Sequence, residues 1–162
     1  QPATASSHAS TLKNLGMSEI MFAQGMIPHH QQAIEMSTMA LKNSSSPEVK
    51  KLAKAIISAQ GKEMAQLKYW LTATKSSMTM DHDMKMSGML TVKELASLKS
   101  LTGTEFDRTF LALMIKHHQG ALEMIDLISD SKNAEAKALS KAIDSAQRKE
   151  ITSMKQLLKN LK

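Results

Sequence analysis

The sequence predicts an all-α fold, a four-helix bundle made of two duplicated helical hairpins joined by a methionine-rich loop. Three observations predict it. Apolar residues recur at steps of three and four, as in Leu52, Ala55, Ile56, Ala59, Met64, Leu67 and Leu71, which puts them on one helical face. Strand signals are nearly absent, with only two valines in the chain. The chain also repeats itself. Phe22–Met36 (FAQGMIPHHQQAIEM) matches Phe110–Met124 (FLALMIKHHQGALEM) at nine of fifteen positions, offset by 88. Ala55–Glu63 matches Ala142–Glu150 at seven of nine, offset by 87.

The elements follow in order. A first helix is expected over about 18–43, with Pro28 removing one backbone donor and bending it just before a histidine pair. The repeat counterpart of Pro28 is Lys116, so the second half lacks that bend. Pro47, behind Ser45 or Ser46, opens a second helix to about 74. Thr91 and Glu94 form a capping box for a short helix ending near 101. Thr104 to Asp107 opens a third long helix to about 130, and a fourth spans about 133–160. Short connections make each pair an antiparallel hairpin. The expected organisation is a flexible segment 1–16 and one domain over 17–162, with halves 17–74 and 104–161 and a linker over 75–103.

Composition narrows the chemistry. At 162 residues, and roughly 150 per domain, the chain suits one domain. It has fourteen methionines and no cysteine. Disulfides, thiolate zinc sites, iron–sulfur clusters and cysteine nucleophiles are therefore excluded. The net charge of +6 comes mainly from scattered lysines, since Arg108 and Arg148 are the only arginines. Without arginine stripes or aromatic platforms, nucleic acid is not an expected partner. No run approaches the roughly 18 apolar residues of a membrane span. The polar start, Gln1 to Ser10, reads as the N-terminus of a processed or trimmed chain.

Two groups of residues suit a metal. On the first helix Met26, His29, His30 and Met36 fall at steps of three and four around Ala33; Met114, His117, His118 and Met124 repeat this around Ala121. Imidazole with thioether is a donor set for soft ions, Cu(I) and Ag(I) foremost. The plainer reading is core packing, with one histidine of each pair buried, and the sequence leaves open which one. Glu35, Glu123, Glu63 and Glu150 are candidate carboxylate partners for the imidazoles, although pairing with nearby lysines competes.

The second group is the segment MTMDHDMKMSGM, which places Met78, Met80, Met84, Met86, Met89 and His82 within twelve residues. Neutral thioethers in a polar loop can wrap Cu(I) without deprotonation and cannot oxidise to disulfides. Asp81, His82 and Asp83 would also admit Cu(II), and a hydrophobic flap is the competing reading. Met17, Met21, Met39, Met64 and Met154 are expected in the core.

The spaced motifs carry a resemblance. Phe22, Met26, His29, His30, Ala33 and Met36, then Phe106, Asp107, Phe110, Met114, His117, His118, Ala121 and Met124, are similar to the secreted, ferritin-like family of domain of unknown function 305. The elements Gln60–Glu63 and Gln147–Glu150 fit it too, and the resemblance covers about 17–162. That family includes copper-binding proteins of the CopM type. The resemblance implies a ferritin-like four-helix bundle, export to the periplasm or the cell exterior and, for some members, copper or silver binding.

A di-iron enzyme would need Glu-x-x-His pairs, and none of the nine glutamates has histidine three residues later. The expectation is a non-enzymatic copper protein for homeostasis or resistance, with copper ions and a copper-transport or efflux protein as partners. The alternatives are a copper-dependent redox enzyme, either a cuprous oxidase or a cupric reductase, and a helical protein-interaction module without metal.

Overall fold

The duplicated hairpins fold around one layer of histidines. The computed structural model describes residues 12–80 and 86–161. Its long helices are α1 (Met17–Asn43), α2 (Pro47–Ala73), α4 (Gly103–Met124) and α5 (Ala134–Asn160), with the short α3 (Val92–Ser100) in the linker. No strand occurs among the described residues.

Local chemistry sets most boundaries. Ser46 caps α2, its hydroxyl accepting the Val49 N–H at 3.2 Å, and Pro47 follows at the position where a missing donor costs nothing. Thr91 and Glu94 form the reciprocal capping box of α3. Asn133 caps α5 through Ala136 N–H at 2.8 Å, and its amide donates to the Lys13 carbonyl at 2.7 Å, tying the chain before α1 to the second hairpin. Residues 1–11 of the expected flexible segment lie outside the described residues. α1 runs unbroken through Pro28.

Two boundaries differ from expectation. α4 starts at Gly103 behind Thr102, slightly before the anticipated Thr104. It also stops at Met124 rather than near 130, because the next turn tightens into a 3-10 helix over Ile125–Leu127. The Ile128 N–H bonds to the Ile125 carbonyl, and the polar stretch that follows leads to the Asn133 cap.

The core has two apolar clusters. In one, Met36 and Ala40 of α1 meet Phe106, Phe110 and Met114 of α4, with Ile56 of α2 and Met154 of α5. In the other, Phe22, Ala23 and Met26 of α1 meet Ala121 of α4, Trp70 of α2 and Ile143 of α5. The late part of α1 thus pairs with the early part of α4, and the early part with the late part. The helices are antiparallel, with the two HH motifs facing each other between the clusters. Across the hairpins, Gln66 and the Trp70 indole both donate to the Glu135 carboxylate, at 2.6 and 3.3 Å.

The linker is seated on this layer by residues at equivalent repeat positions. Gln32 of α1 brackets Leu90, accepting its N–H at 2.8 Å and donating to its carbonyl at 3.1 Å. The counterpart of Gln32 is Gly120, where a β-carbon would collide with the Ser87 carbonyl. Gly88, at φ +79°, approaches the other way, and a β-carbon there would come within 2.5 Å of the Lys116 carbonyl. Farther on, buried Leu98 anchors α3 in the first cluster.

Gly120→Ala should therefore unseat the linker while leaving the helices formed, at a cost of about 1–3 kcal/mol. Circular dichroism is expected to stay helical while amide exchange at residues 86–90 accelerates; unchanged exchange would contradict the seat.

Candidate metal centre

All four histidines of the HH motifs are buried, so both members of each pair face inward. The first members meet across the pseudo-two-fold axis, with the His29 and His117 ring centroids 3.7 Å apart and the planes inclined by 31°. The second members turn to the opposite helix of their own hairpin. His30 Nε2 lies 2.7 Å from Glu63 Oε1, and His118 Nε2 lies 3.4 Å from Glu150 Oε1. Of the four candidate carboxylates, Glu63 and Glu150 thus partner imidazoles, while Glu35 and Glu123 are exposed.

These bonds decide where the free lone pairs are. His29 Nε2–H donates to the Ser87 carbonyl at 3.1 Å, so its neutral ring carries the lone pair on Nδ1. Donation from His30 and His118 to their glutamates likewise leaves Nδ1 free when those rings are neutral. His29 Nδ1, His30 Nδ1, His118 Nδ1 and His117 Nε2 are all buried without a hydrogen-bond partner. Buried polar atoms normally find partners, and an unsatisfied one costs about 1–3 kcal/mol. Four such nitrogens in one layer form a donor set that protein groups leave unused. Beside them, the amide oxygens of Gln60 and Gln147, equivalent in the repeat, are also buried and unpartnered.

The layer keeps its central rings unprotonated. Burial, opposed by the Ser87 carbonyl and reinforced by nearby imidazoles, lowers the His29 pKa to about 3. Burial and the neighbouring histidines lower that of His117 to about 2. A carboxylate on one ring nitrogen and an open lone pair on the other is how proteins orient and strengthen an imidazole ligand. No group of three or more His, Cys, Asp or Glu residues preformed for a metal is found among the described residues. A bound ion would thus draw on fewer than three of these imidazoles, together with neutral donors, or require the layer to rearrange.

The methionines divide. Met26, Met36 and Met114 are fully buried in the apolar clusters on either side of the histidines. Met124 instead turns towards the linker. A β-carbon placed on Gly25 would lie 3.2 Å from Met124 Cε, 3.8 Å from Met80 Sδ and 3.9 Å from Met86 Sδ. Met78 is 44% exposed and lines a groove of about 420 Å³ with Met64, Met80 and Met86. Met89 is partly buried at the turn, and His82 and Met84 lie outside the described residues. Of the methionines expected in the core, Met64 and Met154 are buried and Met39 packs against the first cluster. Met17 is a correction: at the first position of α1 it has no facing helix and is 71% exposed. Met21 borders a cavity of about 190 Å³ with Met86 and Met124.

Sequence reasoning missed five participants. Ser87 uses its backbone carbonyl, which no side-chain pattern advertises. Gln32 and Gly120 were visible only as a mismatch between the repeats. The unpartnered glutamines stood within the repeated Gln-x-x-Glu element, but nothing in it distinguishes a buried amide from an exposed one.

Comparison with known proteins places the fold among solved relatives. The family profile of Domain of unknown function (DUF305) matches residues 19–158. A DUF305 protein of Streptomyces coelicolor is 30% identical, with a TM-score of 0.82 over 87% of this chain and 90% of its own. A DUF305 fragment of Deinococcus radiodurans is 32% identical, with a TM-score of 0.82 over 90% and 98%. CopM in its Cu(I)-bound form is 33% identical, with a TM-score of 0.75 over 90% and 98%, and CopM is also known bound to Cu(II) and to silver. A search of the curated proteins finds no match.

The depressed histidine pKa values carry a sign. Below pH of about 6.5 the unfolded chain takes up protons that native His29 and His117 refuse until about pH 3 and 2, so stability falls as the pH drops through this window. The slope is on the order of 1 kcal/mol per pH unit for each ring. Urea midpoints of the metal-free protein should decline from pH 6.5 to 4, and His29→Gln should flatten the decline. A midpoint independent of pH would contradict a neutral, buried layer.

Proposed function

The chain belongs to the DUF305 family, and on that premise we propose that it is a non-enzymatic binding protein for Cu(I), with Ag(I) able to substitute. It buffers, sequesters or hands on copper. The observation that carries this reading is the set of four unpartnered ring nitrogens held between two apolar clusters. Cu(I) accepts few, soft and uncharged donors, which neutral imidazoles and thioethers supply. A divalent ion in the same layer would bring two charges into an apolar surrounding whose nearest carboxylates, Glu63 and Glu150, are already bonded to histidine. A monovalent ion halves that charge and needs fewer ligands.

The relatives support copper and silver as the ions, since CopM is known with Cu(I), Cu(II) and silver. In this chain Cu(II) is assigned to the acidic centre of the linker, Asp81, His82 and Asp83, rather than to the histidine layer. The linker methionines Met78, Met80, Met84, Met86 and Met89 supply further soft donors, separate from the histidine layer. An exported location, periplasmic or extracellular, agrees with thioether chemistry in the absence of thiols, and a copper-transport or efflux protein is the fitting recipient.

The test is an anaerobic Cu(I) titration against a competing chelator. Replacing His29, His30, His117 and His118 with alanine should abolish the tightest Cu(I) equivalent while the helical spectrum persists. Glu63→Gln with Glu150→Gln should weaken that equivalent by about 10–100-fold, because the rings lose their orienting carboxylates. Unchanged affinity in both variants would make the histidines structural. Steady consumption of oxygen with excess Cu(I), above the rate in buffer, would overturn the non-enzymatic reading.

A further inference from the structure

We propose that the thioethers of Met80, Met86 and Met124 form a second site for a soft monovalent ion, on the outer face of the bundle over Gly25 and apart from the histidine layer. Two positions in the first half of the linker, Met80 and Met86, and the end of α4 supply it. Their side chains converge on one point, with the Met80 and Met86 sulfurs within 3.9 Å of where a Gly25 β-carbon would be and the Met124 methyl at 3.2 Å. That point borders the cavity of about 190 Å³, where Met21 adds a fourth thioether and Glu123 a nearby negative charge.

The repeat shows that this arrangement belongs to one half of the molecule. The counterpart of Gly25 is Leu113, a residue large enough to fill the space in which the methionines meet. Met124 has Met36 as its own counterpart, which is fully buried in an apolar cluster. Met36 is thus enclosed in a core cluster, whereas Met124 is only partly buried, packing against the second cluster on one side and bordering the methionine-lined cavity on the other. Uncharged sulfur donors select Cu(I) and Ag(I) over zinc, calcium and magnesium, which require imidazole, thiolate or oxygen. Methionine is also flexible enough to close around an ion from these starting distances.

The position relative to the histidines gives the site a place in the molecule. Ser87, immediately after Met86, holds His29 Nε2–H through its carbonyl. The thioether site therefore lies on the linker segment that covers the histidine layer. The inference rests on the copper reading only for the choice of ion and needs no histidine as ligand.

The test uses the whole chain with its methionine methyl groups labelled with ¹³C, titrated with Ag(I). The methyl resonances of Met80, Met86 and Met124 should shift together. The variant M80L/M86L/M124L, which preserves apolar bulk but removes sulfur, should lose one bound Ag(I) equivalent. Gly25→Leu, which removes no ligand, should lose the same equivalent by filling the space, with the helical spectrum unchanged. Methyl resonances indifferent to Ag(I), or a folded triple variant that binds as many equivalents as the parent, would overturn the site. Should the triple variant not fold, the methyl spectrum of the unaltered protein decides. The variant H29Q/H30Q/H117Q/H118Q separates the two readings. If it loses an equivalent while the methyls never respond, only the thioether site fails; if the methyls respond and it binds as before, only the histidine reading fails.

Discussion

The contact of His29 with His117 at the pseudo-two-fold axis is the constraint on which the rest of the molecule depends. Two imidazoles at this separation cannot both carry charge in an apolar surrounding, so the layer is built to keep them neutral. Clusters of Phe, Met, Leu and Ile above and below exclude water from it, and the Ser87 carbonyl fixes one tautomer. His30 and His118 then complete the layer, each turned towards a glutamate on the second helix of its own hairpin. The unsatisfied nitrogens make the metal-free layer costly to bury. Such cost is retained at sites where something else can occupy the lone pairs, which is the ground for the proposed soft ion.

Duplication explains both the symmetry of the layer and the departures from it. The His–Glu pairs and the unpartnered glutamines are equivalent in the two hairpins. The linker has no symmetric partner, so residues that began as equivalents diverge where it lies. Gln32 holds it by two hydrogen bonds, while Gly120 lets its backbone approach α4. Gly25 opens a space that Leu113 occupies elsewhere. The linker thereby covers the histidine layer and brings Met80 and Met86 to Gly25.

Much of this was legible from residues alone. Period, caps and repeat located the four long helices and α3, since Ser46 and Thr91 act through contacts three residues away. The repeat placed an HH motif on each of two helices, but their meeting needed the fold, in which α1 and α4 run antiparallel. The end of α4 did not, because a turn tightens into 3-10 form by hydrogen bonding that composition does not encode. Spacing also grouped Met26 and Met36 with the histidines, although ten residues of helix separate them and each is buried in a different cluster. Only the fold distinguishes them from Met124, which reaches the linker. The inward turn of both histidines in each pair was equally beyond a face argument, since consecutive residues diverge by about 100° around a helix. It requires neighbours on two sides, α4 or α1 for the first histidine and the hairpin partner for the second.

The central claim is that copper enters the imidazole layer. X-ray absorption at the copper edge, on the protein loaded anaerobically with one equivalent of Cu(I), tests it most directly. The account predicts nitrogen neighbours with the outer-shell scattering pattern of imidazole rings, lost when the four histidines are replaced. A spectrum of sulfur neighbours alone, identical with and without those histidines, would contradict it.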